Sequence, residues 1–458
     1  MLFHSTRGKD SDKDFASILM QGLADDGGLF MPDHWPEVDL DEIKSKTSFI
    51  DIAKCIVPLF TTSSFTHDET TSIVESTWHD FEHKDLIGIR ELDSVSIIEL
   101  FHGPTAAFKD FGLQLAAAFF NQVLESENKT AIVLGATSGD TGSAAIDACK
   151  SYDRIKSFIM LPNGNMSEVQ RRQMSTIKAA NVFTLRINGT FDDCQDLVKL
   201  AFKKRNFLKT DQYLLAVNSI NWTRIVGQIC YYFYAYNQLH KKGNLNFSIP
   251  TGNFGNVFAC YSAHKMGLPI NKISVAVNNN DILHRFFSSN DYSKQLVHET
   301  ISPSMDISVA SNFERLVYDF FLSRNSSKCA KMFDNFPMKP IELDVETWQR
   351  KDSLFSSSRV DDLETTKTIQ EIYQANGYIL DPHTAVAAVE AIKKSDSSNH
   401  FVVLSTAHPA KFPKVYEELN IEINSLPAAL SGLFKKEEHL HSFDADYNQV
   451  TNFIKLNN

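Results

Sequence analysis

The rhythm of apolar positions changes near residue 95. Between about residues 12 and 90 they recur at helical spacing, separated by loops, with no run of strands. Ser48 stands where an N-cap would, opening a pattern that continues through Lys54 to Phe60, and residues 68–78 read as a further helix. Beyond residue 95 the text becomes short continuous apolar runs at 95–100, 130–136, 155–161, 182–187, 247–249, 273–277 and 401–404. Helix-length segments alternate with them at 111–124, 143–151, 191–205, 221–240, 256–266 and 382–393. Buried strands alternating with helices predict an α/β architecture of mostly parallel sheets covered on both faces. Two serine-containing stretches, 352–362 and 393–400, read as surface connections, and the polar chain after about Glu437 reads as a peripheral helix. No repeat of solenoid length is present.

In an open parallel sheet, ligands bind beyond the carboxyl ends of the strands. Three polar loops fall there. Gly135-Ala136-Thr137-Ser138-Gly139-Asp140-Thr141-Gly142-Ser143 offers glycines, hydroxyls and helix-start N–H groups, which suit a carboxylate. Pro250-Thr251-Gly252-Asn253-Phe254-Gly255-Asn256 runs into a helix and suits a single phosphate, since it is neither a Walker A loop nor a dinucleotide fingerprint. Ser405-Thr406-Ala407-His408-Pro409-Ala410-Lys411-Phe412 places a hydroxyl at a strand end, where it could meet a neutral ring nitrogen. Each loop is equally what a capped strand-to-helix turn looks like. Asn218-Ser219-Ile220-Asn221-Trp222-Thr223-Arg224 adds an arginine suited to phosphate, ahead of an aromatic helix that reads as core or interface.

The remaining candidate is Lys109, in Phe101-His102-Gly103-Pro104-Thr105-Ala106-Ala107-Phe108-Lys109-Asp110. It follows a Gly-Pro turn and begins a helical run. A lysine near a helix N-terminus, partly desolvated, has a lowered proton affinity and can serve as nucleophile or base, although most lysines at helix starts are merely solvated.

Bulk properties narrow the field. The 458 residues exceed a single core and suggest two or three domains. A net charge of −11 argues against nucleic acid or an anionic membrane as general partner. No stretch reaches the length of a membrane span, and the N-terminus lacks the apolar segment of a secretion signal, so a cytoplasmic location is expected. The six cysteines form no CxxC pair and the histidines show no metal spacing, so no metal site is expected.

Taken together, these segments resemble the threonine synthase family, of the longer bacterial and fungal type. The resemblance begins with Ser5-Thr6-Arg7 and Gly22-Leu23-Ala24-Asp25-Asp26-Gly27-Gly28-Leu29-Phe30, and continues through Leu100–Thr105 and Phe108-Lys109-Asp110. It runs on through the loops at 136–142, 217–221, 252–255 and 406–412. The resemblance implies the fold type II of pyridoxal phosphate (PLP) enzymes: two open, mostly parallel sheets flanked by helices, behind a mainly helical N-terminal domain. The expected division is 1–92 for that domain and 93–458 for the catalytic region, with a small subdomain at roughly 110–215.

It further implies PLP as cofactor, with Lys109 as its covalent attachment point and base, Gly252, Asn253, Phe254, Gly255 and Asn256 around its phosphate, and Thr406 at its ring nitrogen. Ser138, Gly139, Asp140 and Thr141 would hold the substrate carboxylate. Asn221, Arg224 and Lys411 are candidates for the substrate phosphate. One departure is visible: the phosphate loop ends in Asn256 where this family often has Asp. The implied reaction takes O-phospho-L-homoserine and water to L-threonine and phosphate, in a monomer or homodimer. The alternatives are a phospho-lyase that releases 2-oxobutyrate, a serine/threonine dehydratase of the same fold, and a PLP-binding relative without activity.

Overall fold

The computed structural model describes all residues of the chain except Ser138, Asn165 and Ser397. Two large sheets organise the described residues. The larger has the strand order Phe355–Arg359, Ile270–Val277, Leu245–Pro250, His400–Ser405, Val95–Glu99, Gly88–Glu91, parallel throughout except for the last pair. The smaller is parallel, in the order His441–Asp444, Val182–Asn188, Ile155–Pro162, Thr130–Ala136, Gln212–Leu215. This is the α/β arrangement expected of fold type II.

Two helices carry the site between the sheets. Lys109–Ser126 and Trp222–Leu239 are buried around most of their circumference, as helices inside a large core must be. They cross closely, and glycine permits it. A Cβ on Gly112 would lie 2.9 Å from the Arg224 carbonyl oxygen, and one on Gly227 would lie 2.9 Å from the Phe111 carbonyl oxygen. Either methyl would push the helices apart and move Lys109 and Arg224 with them.

The N-terminal region is mostly helical, with helices Phe15–Gln21, Leu40–Ser45, Phe49–Ile56, Pro58–Thr61 and His67–Ser76. It also holds strands that helical spacing did not suggest. Phe3–Ser5 pairs antiparallel with Phe30–Pro32, and three-residue strands are too short to show alternation. Gly88–Glu91 forms the antiparallel edge of the large sheet, so that ladder runs across residue 92.

The serine-rich stretch 352–362 is not a surface connection. Phe355–Arg359 pairs in parallel with Ile273–Val277 as the opposite edge of the large sheet. A ladder is made by the backbone, and small serines at an edge fill the pleat without an apolar run to announce them. The chain after Glu437 likewise contributes a strand, His441–Asp444, before its helix Tyr447–Leu456.

Candidate functional site

Lys109 is placed by its own loop. The Asp110 carboxylate folds back to accept the Thr105 main-chain N–H at 2.9 Å and the Thr105 hydroxyl at 2.6 Å. Only glycine fits at 103, where a Cβ would lie 2.4 Å from Asp110 Oδ2. The loop is then stitched to the one after His400–Ser405: Phe108 N–H donates to Thr406 O at 2.9 Å, and His408 N–H donates to Ala106 O at 3.0 Å. The indole of Trp78 donates to Phe111 O at 3.0 Å, bracing the first turn from the N-terminal region.

Burial pushes the Asp110 carboxyl up to about 7, against the two Thr105 hydrogen bonds. Its folded proton affinity therefore exceeds the unfolded one, and this residue's contribution to stability declines as pH rises from about 4 to about 7. Asp110→Asn should flatten that decline by up to about 4 kcal/mol, measured by denaturant unfolding across the same window. An unchanged slope would show that Asp110 is ionised in the folded protein.

The Lys109 ammonium reaches Asp140 Oδ2 at 3.2 Å. Asp140 begins the helix Asp140–Cys149 and is almost wholly buried. Its Oδ1 accepts from Lys411 Nζ at 2.8 Å and from Gln170 Nε2 at 2.8 Å, and its Oδ2 also accepts from the Ser304 hydroxyl at 3.0 Å. Burial alone would raise this carboxyl, but Lys109 and Lys411 outweigh it and hold Asp140 well below the usual carboxylate range. Lys109 is lowered by burial first, with Lys411 and Arg224 adding to the effect and Asp140 opposing it. Thr137 shapes the loop before Asp140: its hydroxyl oxygen accepts from the N–H groups of Gly139 and Gly142, each at 3.0 Å. Ser138, expected beside Gly139, Asp140 and Thr141, lies outside the described residues.

The loop 252–256 has the features of an anion cradle. The helix Gly255–Lys265 starts with no side-chain cap, and Phe254 precedes it in the left-handed region at φ 64°. Asn253, Phe254, Gly255 and Asn256 donate no backbone hydrogen bond to any described residue. Asn256 Oδ1 accepts from Tyr231 and Tyr232, which leaves its buried Nδ2 donor without a partner among the described residues. Unpaired donors at a helix N-terminus fit one phosphate group. A non-glycine residue held left-handed costs roughly 1 kcal/mol or more, and such strain collects at ligand sites. The cradle is tied to the lysine through segment 303–305: a Cβ on Gly252 would lie 3.1 Å from Met305 Cα and 3.2 Å from Ser304 O.

Two of the candidates for substrate phosphate separate. Asn221 is engaged at both polar atoms, its Oδ1 accepting Thr223 N–H at 3.1 Å and its Nδ2 donating to Leu19 O at 2.9 Å, so it is a helix cap. Arg224 donates from Nη1 to Val217 O at 2.8 Å, while its buried Nε has no partner among the described residues. It has no carboxylate partner among the described residues, and burial pushes it down to about 10. Lys411 donates to Thr105 O at 2.8 Å besides pairing with Asp140, so its ammonium is already engaged. Thr406 is buried, and its N–H reaches the Thr384 hydroxyl oxygen at 3.3 Å. No cluster of metal-ligating side chains is found among the described residues.

Sequence reasoning did not single out Ser304, Gln170, Asp381, His383 or Thr384. Ser304 lies in an irregular segment, and Asp381-Pro382-His383-Thr384 reads as an ordinary helix start.

Comparison with known proteins identifies the family. The family described as "Pyridoxal-phosphate dependent enzyme" matches residues 98–330. "Threonine synthase N terminus" matches 2–78, and "Threonine synthase, C-terminal" matches 384–454. The chain is 43% identical to the threonine synthase of Pseudomonas aeruginosa, over 99% of this chain and 98% of that protein. It is 38% identical to the threonine synthase of Schizosaccharomyces pombe, over 94% and 93% respectively. The crystal structure of PLP-bound threonine synthase from Brucella melitensis superposes with a TM-score of 0.95 at 37% identity, covering 100% of this chain and 99% of that one.

Proposed function

The chain belongs to the threonine synthase family, and from that premise we propose how its own residues divide the work. The reaction is the conversion of O-phospho-L-homoserine and water to L-threonine and phosphate, with PLP as cofactor. Asn253, Phe254, Gly255 and Asn256 would hold the cofactor phosphate with Gly252 giving it room, Lys109 would bind its aldehyde, and the Thr406 hydroxyl would face its ring nitrogen. Bound there, PLP supplies an electron sink for charge developing at the substrate Cα. The observation that carries the assignment is Lys109 Nζ at 3.2 Å from a carboxylate that a second buried lysine also grips.

Lys109 Nζ takes the proton from Cα of the substrate and later returns one there. Asp140 holds that ammonium in place by its charge, and Lys411 and Gln170 keep the carboxylate from turning away. The N–H groups and hydroxyls of the 138–141 loop receive the substrate carboxylate. A Cβ proton and the γ-phosphate leave, Cγ gains a proton, and water adds at Cβ. Arg224 is the seat for the leaving phosphate dianion, because it is a buried cation of the site that pairs with no described carboxylate and has a free Nε donor among the described residues. Burial around the site limits competing water.

The six cysteines are all unpaired thiols, which supports a reducing compartment such as the cytoplasm. No helix among the described residues is long and apolar enough to cross a membrane.

The assay uses purified protein with PLP and O-phosphohomoserine. Threonine and phosphate should appear in equal amounts; 2-oxobutyrate as the sole organic product overturns the reading. In the same assay Arg224→Met should raise KM by about 100-fold, the loss expected of a charged phosphate contact. Folding stability should fall little, since the substitution also removes a buried unpaired charge. An unchanged KM would place the phosphate elsewhere.

A further inference from the structure

We propose that Ser304 is a positioning residue for the Lys109–Asp140 pair, held in place by a buried dyad, Asp381 and His383. This rests on the reading of Lys109 and Asp140 as the reacting site. The Ser304 hydroxyl donates to Asp140 Oδ2, the same oxygen that faces Lys109 Nζ. Its main-chain N–H donates to His383 Nε2 at 3.1 Å. Since Nε2 accepts a main-chain N–H, the ring proton sits on Nδ1, and Nδ1 donates to Asp381 Oδ1 at 2.8 Å. The histidine is thereby a neutral bridge of defined tautomer, its ring centre 4.9 Å from that of Phe412. Asp381 is fully buried and caps the helix Pro382–Lys394, accepting the His383 and Thr384 N–H groups and the Thr384 hydroxyl.

The far end of segment 300–306 is anchored separately. Asp306 accepts Thr300 N–H at 2.9 Å, Asn278 Nδ2 at 2.8 Å and Asn280 Nδ2 at 2.9 Å. Segment 300–306 is thus pinned at Asp306 to the loop that follows the strand Ile270–Val277 and at Ser304 to the helix Pro382–Lys394, between Gly252 of the phosphate cradle and Asp140 of the opposite loop. With its main-chain N–H tied to His383 and the chain two residues on held by the Asp306 carboxylate, Ser304 has little freedom, so its hydroxyl can fix which way the Asp140 carboxylate faces. The same helix start reaches the other side of the site, because Thr384 receives the Thr406 N–H. The dyad acts through Ser304 and touches no reacting atom.

The test joins kinetics to a readout that needs no cofactor. Ser304→Ala should lower kcat about tenfold while KM changes less than about threefold, as removal of one hydrogen bond to a charged group would do. His383→Leu should match that loss, and the double variant should fall no further than His383→Leu alone, because both act through one contact. His383→Gln keeps an acceptor at the Nε2 position and should restore most of kcat. In the PLP-free protein, amide deuterium exchange of the peptide carrying Ser304 should speed up at least about tenfold in His383→Leu and stay near wild type in His383→Gln. Additive kcat losses, or unchanged exchange in His383→Leu, overturn the proposal. Full activity in Asp140→Asn would instead sink the underlying site assignment, while the exchange result would still report on the dyad. Ser304→Ala deletes only a half-buried hydroxyl, so the kinetic arm stands even if His383→Leu folds poorly.

Discussion

Lys109→Ala should abolish threonine formation, with kcat falling roughly 10⁴-fold, because the variant loses the base at Cα as well as the point of cofactor attachment. The visible absorbance of the PLP-loaded protein should lose its lysine-dependent band at the same time. Stability should move in the other direction. Burial lowers the proton affinity of Lys109, a sign that its charge is costly where it sits. Without that ammonium, Asp140 still has Lys411, Gln170 and Ser304. Denaturant unfolding of the PLP-free variant should therefore show a midpoint equal to or above wild type. A variant that keeps a tenth of wild-type kcat would remove Lys109 from the chemistry. One that is inactive and clearly less stable would mean that the activity loss reflects folding.

Asp140→Asn carries the second large effect, and here stability and activity fall together. The neutral amide leaves two buried ammonium groups facing no carboxylate, and breaking a buried pair on one side costs about 3–5 kcal/mol. The pH dependence has a definite sign. The folded carboxyl sits well below its ordinary value, so its contribution is fully present above about pH 4 and is lost as pH falls through the folded pKa. The variant should be destabilised at pH 7 and should lose part of the acid-induced decline that wild type shows. Equal stability at pH 7 would mean that the two lysines are discharged in the folded state, and the role given to Asp140 would fail.

The sequence made the scaffold and the loops readable for one reason: both depend on local patterns. Continuous apolar runs marked the central strands, and glycines with hydroxyls marked the loops at their carboxyl ends. What escaped notice depends on contacts far apart in the chain. Phe355–Arg359 reads as a polar connection because its serines are paired by backbone, not by side-chain burial. Ser304 and Asp140 are 164 positions apart, Ser304 and His383 are 79 apart, and no spacing rule joins them. Lys411 illustrates the opposite hazard. Its place beside the Thr406 loop suggests a free cation for a substrate anion, whereas in the fold it is fully buried and already paired with Asp140.

The strand His441–Asp444 has a consequence for how the chain comes to be made. It completes the smaller sheet against Val182–Asn188, although about 250 residues of synthesis separate the two, a span that makes such pairing slow. Until the late strand emerges from the ribosome, Val182–Asn188 is an open parallel edge with hydrogen-bonding groups turned outward, a template for pairing with other chains. The smaller sheet is therefore the part of the nascent protein most in need of chaperone protection. Shortening the chain before residue 441 would be felt first as aggregation during expression, although the loops carrying Lys109 and Asp140 lie hundreds of residues upstream.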